Sequence, residues 1–362
     1  RVRTRSPAGA RGDCAAFVGS ASFRAMRIAI PRETAPREAR VALIPETVGK
    51  LTKSGFEVQV ETGAGDRAGF PDTAYRDAGA NVMADFAATV AGAAVVVKVR
   101  EPGPHPTLAK HEADLLPEGA ILLGFLGRGE SDDLMQKYLA RRLSTFSMNA
   151  VPRISRAQKM DALSSMAGVA GYKAVLLAAT HLGKFFPLLM TAAGTVPPAR
   201  VFVLGAGVAG LQAIATSRRL GAVVEAFDVR PAVKEEVQSL GGTFVGLATL
   251  GESGVGEGGY AKELSRDQHQ MELDLIQSRL PSTDVVISTA AIPGKRAPIL
   301  LTKGMVEVMK PGSVIVDLAA ETGGNCELTK PGETVVHHSV IILGPLDIAS
   351  TLATHASQMY SR

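Results

Sequence analysis

Residues 200–228, RVFVLGAGVAGLQAIATSRRLGAVVEAFD, constrain the fold more than any other part of this chain. An apolar run ends at Gly205, a helical pattern follows and stops at Gly221, and a second apolar run begins at once. A strand, a tight turn, a helix and another strand within 29 residues form half of a doubly wound parallel sheet. This segment therefore predicts an α/β fold.

The turn of this unit carries three glycines with GxGxxG spacing. In a dinucleotide-binding turn Gly205 would close the bend, Gly207 would let the backbone approach a pyrophosphate, and Gly210 would let the helix pack on the strand. Val208 would open that helix, whose N-terminal N–H groups are free to bind phosphates. Because the spacing stands between a strand and a helix, we predict a dinucleotide-binding site here.

An acidic residue, Asp228, ends the second strand, 18 residues after Gly210. A carboxylate at this place accepts hydrogen bonds from the adenosine ribose and repels a 2′-phosphate, which favours NAD(H) over NADP(H). Val229 and Arg230 follow directly, and we predict that they complete the ribose end of the site. The positive charge of Arg230 leaves some room for NADP(H).

The remainder of the chain predicts a second α/β unit. Its 362 residues are enough for two domains, and the apolar runs of the first third alternate with helical patterns as β-α-β-α-β. We expect two Rossmann-like domains with parallel sheets separated by a cleft. The predicted limits are 26–163 for an N-terminal α/β domain, to which 335–362 return, and 164–334 for the NAD(H)-binding Rossmann domain. A long helix is predicted from Ala162 to about Phe186.

The net charge of +4 comes from residues 1–25, which hold five arginines and one acid, Asp13. The remaining chain is neutral, so it lacks the basic excess of a protein that binds nucleic acid. The Arg- and Ser-rich composition of residues 1–25 predicts a disordered tail, either the remnant of a transit peptide or a linker.

The two cysteines, Cys14 and Cys326, lie far apart and exclude a disulfide framework. Neither they nor the seven histidines have the spacing of metal ligands, so no metal site is predicted. The longest uncharged stretch, 201–217, contains glycines and a glutamine and makes a poor membrane span. The sequence therefore argues against a protein embedded in a membrane.

Further segments carry a family resemblance: PRISRAQKMDALSS (152–165), GGYAKE (258–263), IPGKRAPIL (292–300) and PGSVIVDLAAETGGNC (311–326). Together with residues 191–222 they closely resemble domain I, the NAD(H)-binding component of the alpha subunit, of proton-translocating NAD(P)+ transhydrogenases. The resemblance runs from Met26 to about Gly344.

The resemblance implies an oxidoreductase of three parts. Domain I binds NAD(H), a membrane domain II conducts protons, and a domain III binds NADP(H). Hydride passes directly between the two nicotinamides where domains I and III meet. This chain would be domain I, a homodimer on the matrix side of the mitochondrial inner membrane or the cytoplasmic side of a bacterial membrane.

The resemblance also assigns residues to the hydride-transfer face. Arg153, Gln158 and Asp161 look like the family's loop beside the nicotinamide, and Ser164 resembles a residue near the same ring. Hydride transfer from one C4 to another needs positioning and exclusion of water rather than an acid or a base. These four residues are therefore predicted to position the reacting rings.

Three further residues are predicted by the resemblance to contact the nucleotide. Tyr260, in GGYAKE, looks like part of a mobile loop that closes over the bound nucleotide, and the glycines before it would allow a hinge. Ala290 and Ile292 are assigned to the same nucleotide site.

Alanine dehydrogenases are the main alternative, since they share the fold. Arg40 and Lys98 resemble their substrate-binding cations, which hold a keto-acid carboxylate and carbonyl. Their catalytic histidine aligns with Gly127, however, and oxidation of an amino acid needs a proton acceptor there. A non-catalytic NAD-binding module is the other alternative, and the intact set of positioning residues argues against it.

Overall fold

The computed structural model describes residues 26–127, 132–152, 154–246, 265–291 and 295–362. These residues form two sheets of mainly parallel strands that alternate with helices along the chain. The predicted fold class, α/β with two Rossmann-like halves, is confirmed. The predicted tail, residues 1–25, lies outside the described residues.

The first sheet of the described chain comprises β1 (Arg27–Ile30), β2 (Glu57–Glu61), β3 (Asn81–Met83), β4 (Val95–Arg100), β5 (Ile121–Phe125) and β6 (Ser144–Ser147). Its order is β3-β2-β1-β4-β5-β6, and each neighbouring pair is parallel. Ile30 and Val99 pack in one apolar core, and Ala29 and Val96 in another. Both faces of the sheet are therefore covered, as is usual for parallel sheets.

The second half begins with a short antiparallel hairpin of β7 (Leu189–Thr191) and β8 (Gly194–Val196). The strands of its sheet are β9 (Arg200–Leu204), β10 (Val223–Phe227), β11 (Thr243–Val245), β12 (Val285–Ser288), β13 (Val314–Asp317), β14 (Thr334–His337) and β15 (Val340–Leu343). Their order in the described chain is β11-β10-β9-β12-β13-β15-β14, parallel except for β14. Val203 and Leu204 lie in different apolar cores, so this sheet too is covered on both faces.

The helices of the described residues are α1 (Pro45–Lys53), α2 (Asp72–Asp77), α3 (Phe86–Val90), α4 (Glu112–Leu115), α5 (Asp132–Ala140), α6 (Ala162–His181), α7 (Val208–Arg219), α8 (Lys234–Ser239), α9 (Arg266–Arg279), α10 (Lys303–Glu307) and α11 (Ala353–Tyr360). The predicted strand–turn–helix–strand unit is confirmed as β9, α7 and β10. Its two strands are the second and third in the order of the second sheet.

Helix α6 joins the two halves. Met166 and Val169 belong to a core of the first half, whereas Ala174 and Ala178 belong to a core of the second. Within the described part of the chain, α6 is the one helix with the length and hydropathy of a membrane span. A core helix has the same composition, and these buried residues pack against both halves.

The end of α6 comes earlier than predicted. The helix stops at His181 rather than near Phe186, because the backbone of Leu182 is extended. Lys184 then reaches the second sheet, where its Nζ lies 2.9 Å from Oδ2 of Asp284. Phe186 packs in the core of the second half.

The C-terminal segment returns to the first half, but later than residue 335. The apolar run of β15 pairs with β13, and β14 pairs with β15, so the chain stays in the second sheet through Leu343. Beyond it, Ala356 and Tyr360 of α11 lie in a core of the first half. The hydroxyl of Tyr360 donates a hydrogen bond to the carbonyl oxygen of Lys98 at 2.7 Å.

Candidate nucleotide-binding site

The glycine turn lies at the carboxyl end of β9, between β10 on one side and β12 on the other. Gly205 has a φ of +94°, a left-handed conformation that glycine adopts without strain. A Cβ on Gly210 would lie 1.8 Å from the carbonyl oxygen of Gly205. Glycine at both positions therefore lets α7 start tightly against β9, at the point where ligands bind in open α/β sheets.

The N-terminus of α7 is open. Gly207 is its N-cap and provides no side-chain hydrogen bond, and a Cβ on Gly207 would meet no heavy atom of the described chain within 4 Å. The first N–H groups of a helix have no partner within the helix, and the helix dipole makes this end positive. Val208 is 42% exposed, so the end faces solvent. This arrangement fits a phosphate group.

Asp228 lies beside the turn and is buried. Its Oδ2 accepts the N–H of Ala206 at 2.7 Å, and its Oδ1 accepts the N–H of Arg230 at 2.8 Å. The guanidinium of Arg230 also donates to both oxygens, at 2.9 and 2.8 Å. Hydrogen bonding to Asp228 raises the pKa of Arg230. Val229 packs its side chain on the apolar core behind the site.

The opposite wall of the cleft follows β12. The hydroxyl of Thr289 donates to the carbonyl oxygen of Gly205 at 3.0 Å. The N–H of Ala290 accordingly lies close to the turn, 3.3 Å from where a Cβ on Gly205 would be. Buried Asn325 bonds both the N–H and the carbonyl of Ala290, at 3.1 and 2.8 Å. Sequence reasoning missed Asn325, and its one signal was its place in the GGNC end of a family-like segment.

The predicted nicotinamide loop leads into α6. Gln158 is exposed in the 3₁₀ turn Ser155–Met160. Asp161 caps the helix, since its Oδ1 accepts the N–H of Ser164 at 2.8 Å and its Oδ2 accepts the Ser164 hydroxyl at 2.6 Å. The carboxylate of Asp161 is therefore held in a fixed direction at the start of α6.

Helices α6 and α7 cross at glycines, which brings this loop towards the glycine turn. A Cβ on Gly171 would lie 2.0 Å from the carbonyl oxygen of Ala209, and one on Gly168 would lie 4.0 Å from Cγ1 of Val208. Ser164 is one helical turn before Gly168, roughly 6 Å along the axis. The start of α6 and the start of α7 thus lie close together.

Three predicted site residues, Arg153, Tyr260 and Ile292, lie outside the described residues. In the part of the chain that the structure describes, no group of three or more His, Cys, Asp or Glu side chains is arranged to hold a metal ion.

A second carboxylate near Asp228 was not predicted. Glu272 of α9 is buried, and its Oε2 lies 2.9 Å from Nδ1 of His269. Burial raises the pKa of Glu272, and the negative charge of Asp228 raises it further. The hydrogen bond with His269 lowers this pKa, but the net shift is upward. The sequence shows only an acid on a polar helix, which is no signal for a buried carboxylate.

Comparison with known families accounts for both halves. The N-terminal domain of alanine dehydrogenase/PNT matches residues 29–170, and the C-terminal domain of the same family matches residues 174–362. The chain belongs to the alanine dehydrogenase/PNT family. It therefore shares the NAD-binding, Rossmann-like fold of these oxidoreductases.

Within this family the chain is similar to transhydrogenases. The first part of the NAD(P) transhydrogenase alpha subunit of Rhodospirillum rubrum is 48% identical over 338 residues, which cover 93% of this chain and 88% of that protein. The crystal structure of a transhydrogenase from Sinorhizobium meliloti superimposes with a TM-score of 0.81 at 42% identity, over 92% of this chain and 91% of that one. The predicted resemblance is confirmed. The name of the R. rubrum relative describes one portion of a subunit, which implies further portions in that assembly.

The other branch of the family is more distant. Alanine dehydrogenase 2 of Staphylococcus aureus is 33% identical over 342 residues, which cover 91% of this chain and 84% of that protein. At the position predicted to align with the catalytic histidine of such enzymes, Gly127 donates its N–H to Oε2 of Glu101 at 2.9 Å. Gly127 has no side chain that could accept a proton.

The two cations that resemble a substrate site are already paired. Nζ of Lys98 lies 2.6 Å from Glu112 and 3.6 Å from Glu33, and Nη2 of Arg40 lies 2.5 Å from Glu38. Burial alone would lower the pKa of Lys98, but the carboxylates of Glu33 and Glu112 outweigh it, and the pKa is raised. Both cations are buried within this network.

Proposed function

We propose that the chain is the NAD(H)-binding component of a proton-translocating transhydrogenase, which exchanges hydride with NADP(H) on a partner domain. The observation that carries this proposal is the glycine turn, which presents the open N-terminus of α7 beside the carboxylate of Asp228. Similarity to transhydrogenase alpha subunits over most of the chain supports it.

The pyrophosphate of NAD(H) would bind at the N-terminus of α7, because Gly207 leaves the backbone accessible there. The adenosine ribose would extend towards Asp228, at the end of β10. The carboxylate of Asp228 would repel a 2′-phosphate, so NAD(H) is the expected ligand. Arg230 would move aside to free an oxygen of Asp228 for a ribose hydroxyl. Tyr260 and Ile292 are proposed to complete the site.

The nicotinamide, when bound, supplies a C4 that donates or accepts the hydride. The chain would hold the ring and exclude water, since direct transfer between two C4 atoms needs no proton acceptor. Asp161, fixed by Ser164, would orient Arg153 towards the carboxamide of the ring. Gln158, exposed before α6, would reach the partner's nucleotide.

The partner domain would dock at the loop before α6. Three apolar side chains flank Gln158 and Asp161 there and are exposed: Ile154 by 52%, Met160 by 56% and Leu163 by 36%. An apolar surface around a polar positioning residue suits a transient contact that brings two rings together without water. Through this partner and a proton-conducting membrane domain, the chain would be associated with a mitochondrial inner membrane or a bacterial membrane.

A homodimer is proposed to form through the hairpin of β7 and β8. Phe185, Leu188 and Met190 in and before β7 are 56%, 51% and 78% exposed. Exposed apolar side chains grouped in this way mark association surfaces. Sedimentation of the wild-type chain should show a dimer that Met190→Asp dissociates, whereas a wild-type monomer would contradict the proposal.

The test of the proposed function is a single turnover with a separately prepared NADP(H)-binding domain of a related transhydrogenase. We expect rapid hydride transfer from NADPH to an NAD+ analogue that requires both proteins. Gln158→Ala should slow it, whereas Gln277→Ala, an exposed glutamine of α9, should not. Tight NADH binding without any transfer would contradict catalysis and would favour an NAD-binding module.

A further inference from the structure

A buried polar network behind the cleft connects β13 to the loop after β12. It begins at Asp317, the last residue of β13, which is fully buried. Its Oδ2 accepts the N–H groups of Asn325 and Cys326, at 2.8 and 3.0 Å, and the hydroxyl of Thr329 at 2.7 Å. A buried carboxylate with this many donors fixes the backbone around it. Asp317 therefore holds Asn325 in one place.

Asn325 in turn holds Ala290 in place through hydrogen bonds. It is fully buried, and its Nδ2 donates to the carbonyl oxygens of Ala290 and Pro298, both at 2.8 Å. Its Oδ1 accepts the N–H of Ala290 at 3.1 Å. Because both polar groups of Ala290 are bonded to one amide, the peptides on either side of this residue cannot rotate without breaking a buried hydrogen bond.

We call the hydrogen bonds from Asn325 to Ala290 the clamp. The position of Ala290 connects this clamp to nucleotide binding. In the second sheet β9 lies between β10 and β12, so Asp228 and Ala290 stand on opposite sides of the glycine turn. If the adenosine half extends from the turn towards Asp228, the nicotinamide half extends the other way, across the end of β12. Ala290 would then form the wall that this half meets.

We infer that Asn325 is a positioning residue, whose amide sets the orientation of Ala290 and thereby the wall against which the nicotinamide half of the dinucleotide binds. This inference rests on the proposed NAD(H) site. Only an amide suits the position, because it offers two donors for the two carbonyls and one acceptor for the N–H. An aspartate at 325 would turn a carboxylate towards both carbonyl oxygens.

The test separates the two halves of the ligand. NADH spans the whole cleft, whereas ADP occupies only the adenosine and pyrophosphate part. The affinity of each is measured for wild type and Asn325→Ala, at a temperature where both are folded. NADH affinity is measured from the fluorescence of the reduced nicotinamide, and ADP affinity is measured by competition with NADH.

The clamp predicts that Asn325→Ala weakens NADH binding at least about tenfold, the equivalent of about 1.4 kcal/mol, while ADP binding changes less than about twofold. A purely structural role would change neither affinity of the folded protein, or both equally. Asn325→Ser, which keeps a shorter polar side chain, provides the same comparison if the alanine variant does not fold.

The matched control is Asp284→Ala. Asp284 is buried just before β12, at the other end of the same strand, and its Oδ2 accepts the N–H of Arg200 at 2.8 Å. This variant should lose stability and keep the wild-type ratio of NADH to ADP affinity. An unchanged ratio in Asn325→Ala would overturn the inference alone. A wild-type chain that binds neither NADH nor ADP would overturn the proposed function together with it.

Discussion

Six parallel strands follow the same order in both sheets, but different groups lie at the carboxyl ends of their central strands. At the first, Lys98, Glu33 and Glu112 form a buried ionic cluster, and Arg40 is paired with Glu38. At the second, the same place beside the central strand is occupied by glycine backbone and the open N-terminus of α7. In the first half, side chains fill the space at the end of the central strands. In the second half, glycines without side chains leave the corresponding space open.

This difference teaches how one fold is used in two ways. An edge filled by paired charges is closed to a large ligand, because each charge already has a partner that would have to be replaced. An edge lined by glycines exposes backbone N–H groups that can bind an anion. Binding should therefore depend on the second edge and stability on both.

The largest effect is expected for Lys98→Met at the first edge. It leaves Glu33 and Glu112 buried without their cation, which should lower the free energy of unfolding by about 3–5 kcal/mol. Urea denaturation measures the loss, and NADH affinity of the folded fraction should not change. Lys50→Met, which removes an exposed pair with Glu46, should leave the free energy of unfolding almost unchanged, because solvent screens such a pair. A loss of NADH affinity in Lys98→Met would break the comparison.

Gly210→Ala tests the second edge. The new Cβ would collide with the carbonyl oxygen of Gly205, which is backbone and cannot swing away. We expect overpacking to lower the free energy of unfolding by about 3 kcal/mol, which thermal unfolding measures. We also expect a loss of NADH binding, which titration measures. Gly304→Ala in α10, where a Cβ meets no atom of another described element within 4 Å, should not destabilise the protein, because alanine favours a helix more than glycine does. Equal melting temperatures of the two variants would contradict this packing role.

The hairpin between β14 and β15 lies at the opposite, amino edge of the second sheet. His338 and Ser339 have φ values of 49° and 61° there, in a two-residue turn where Asn-Gly is preferred. Replacing them by Asn and Gly should stabilise the protein by about 1 kcal/mol without altering NADH affinity. A change in affinity would mean that binding is not confined to the carboxyl edge.

The smallest effect concerns Glu272, whose pKa burial raises above its ordinary 4.5. A raised pKa means that the folded state prefers the protonated form, so wild-type stability falls as pH rises from about 4.5 through the folded pKa. Glu272→Gln should lack this fall. The two proteins should unfold alike in acid and diverge towards neutral pH in denaturation curves. A difference in unfolding free energy between the two proteins that stays the same at every pH would show that burial does not raise the pKa of Glu272.

The elements around the glycine turn could be predicted because their signals are local. Apolar runs, glycines and a terminal acid within residues 200–228 indicate β9, α7 and β10 without any knowledge of the rest of the chain. Strands β3 and β6 were missed because they are short edge strands with little apolar pattern. Phe146 of β6, for example, is 57% exposed.

The remaining differences depend on contacts between distant parts of the chain. The segment after residue 334 was predicted to return at once, yet β15 finds its partner in β13. The bonds of Asn325 to Ala290 span 35 residues, and no local pattern marks an asparagine as buried. The pairing of Lys98 with Glu112 and Glu33 is equally invisible in sequence. Residue types indicated the chemistry of the site, but not which side chains are already occupied.

The most direct test of the nucleotide site at α7 is to titrate NADH into wild type and Gly207→Ala by calorimetry. A Cβ at 207 touches no described atom, so the melting temperature should not change, but it would stand where the pyrophosphate approaches the helix. We predict at least about tenfold weaker binding, about 1.4 kcal/mol. Equal affinity of the two proteins would contradict a nucleotide bound at this helix.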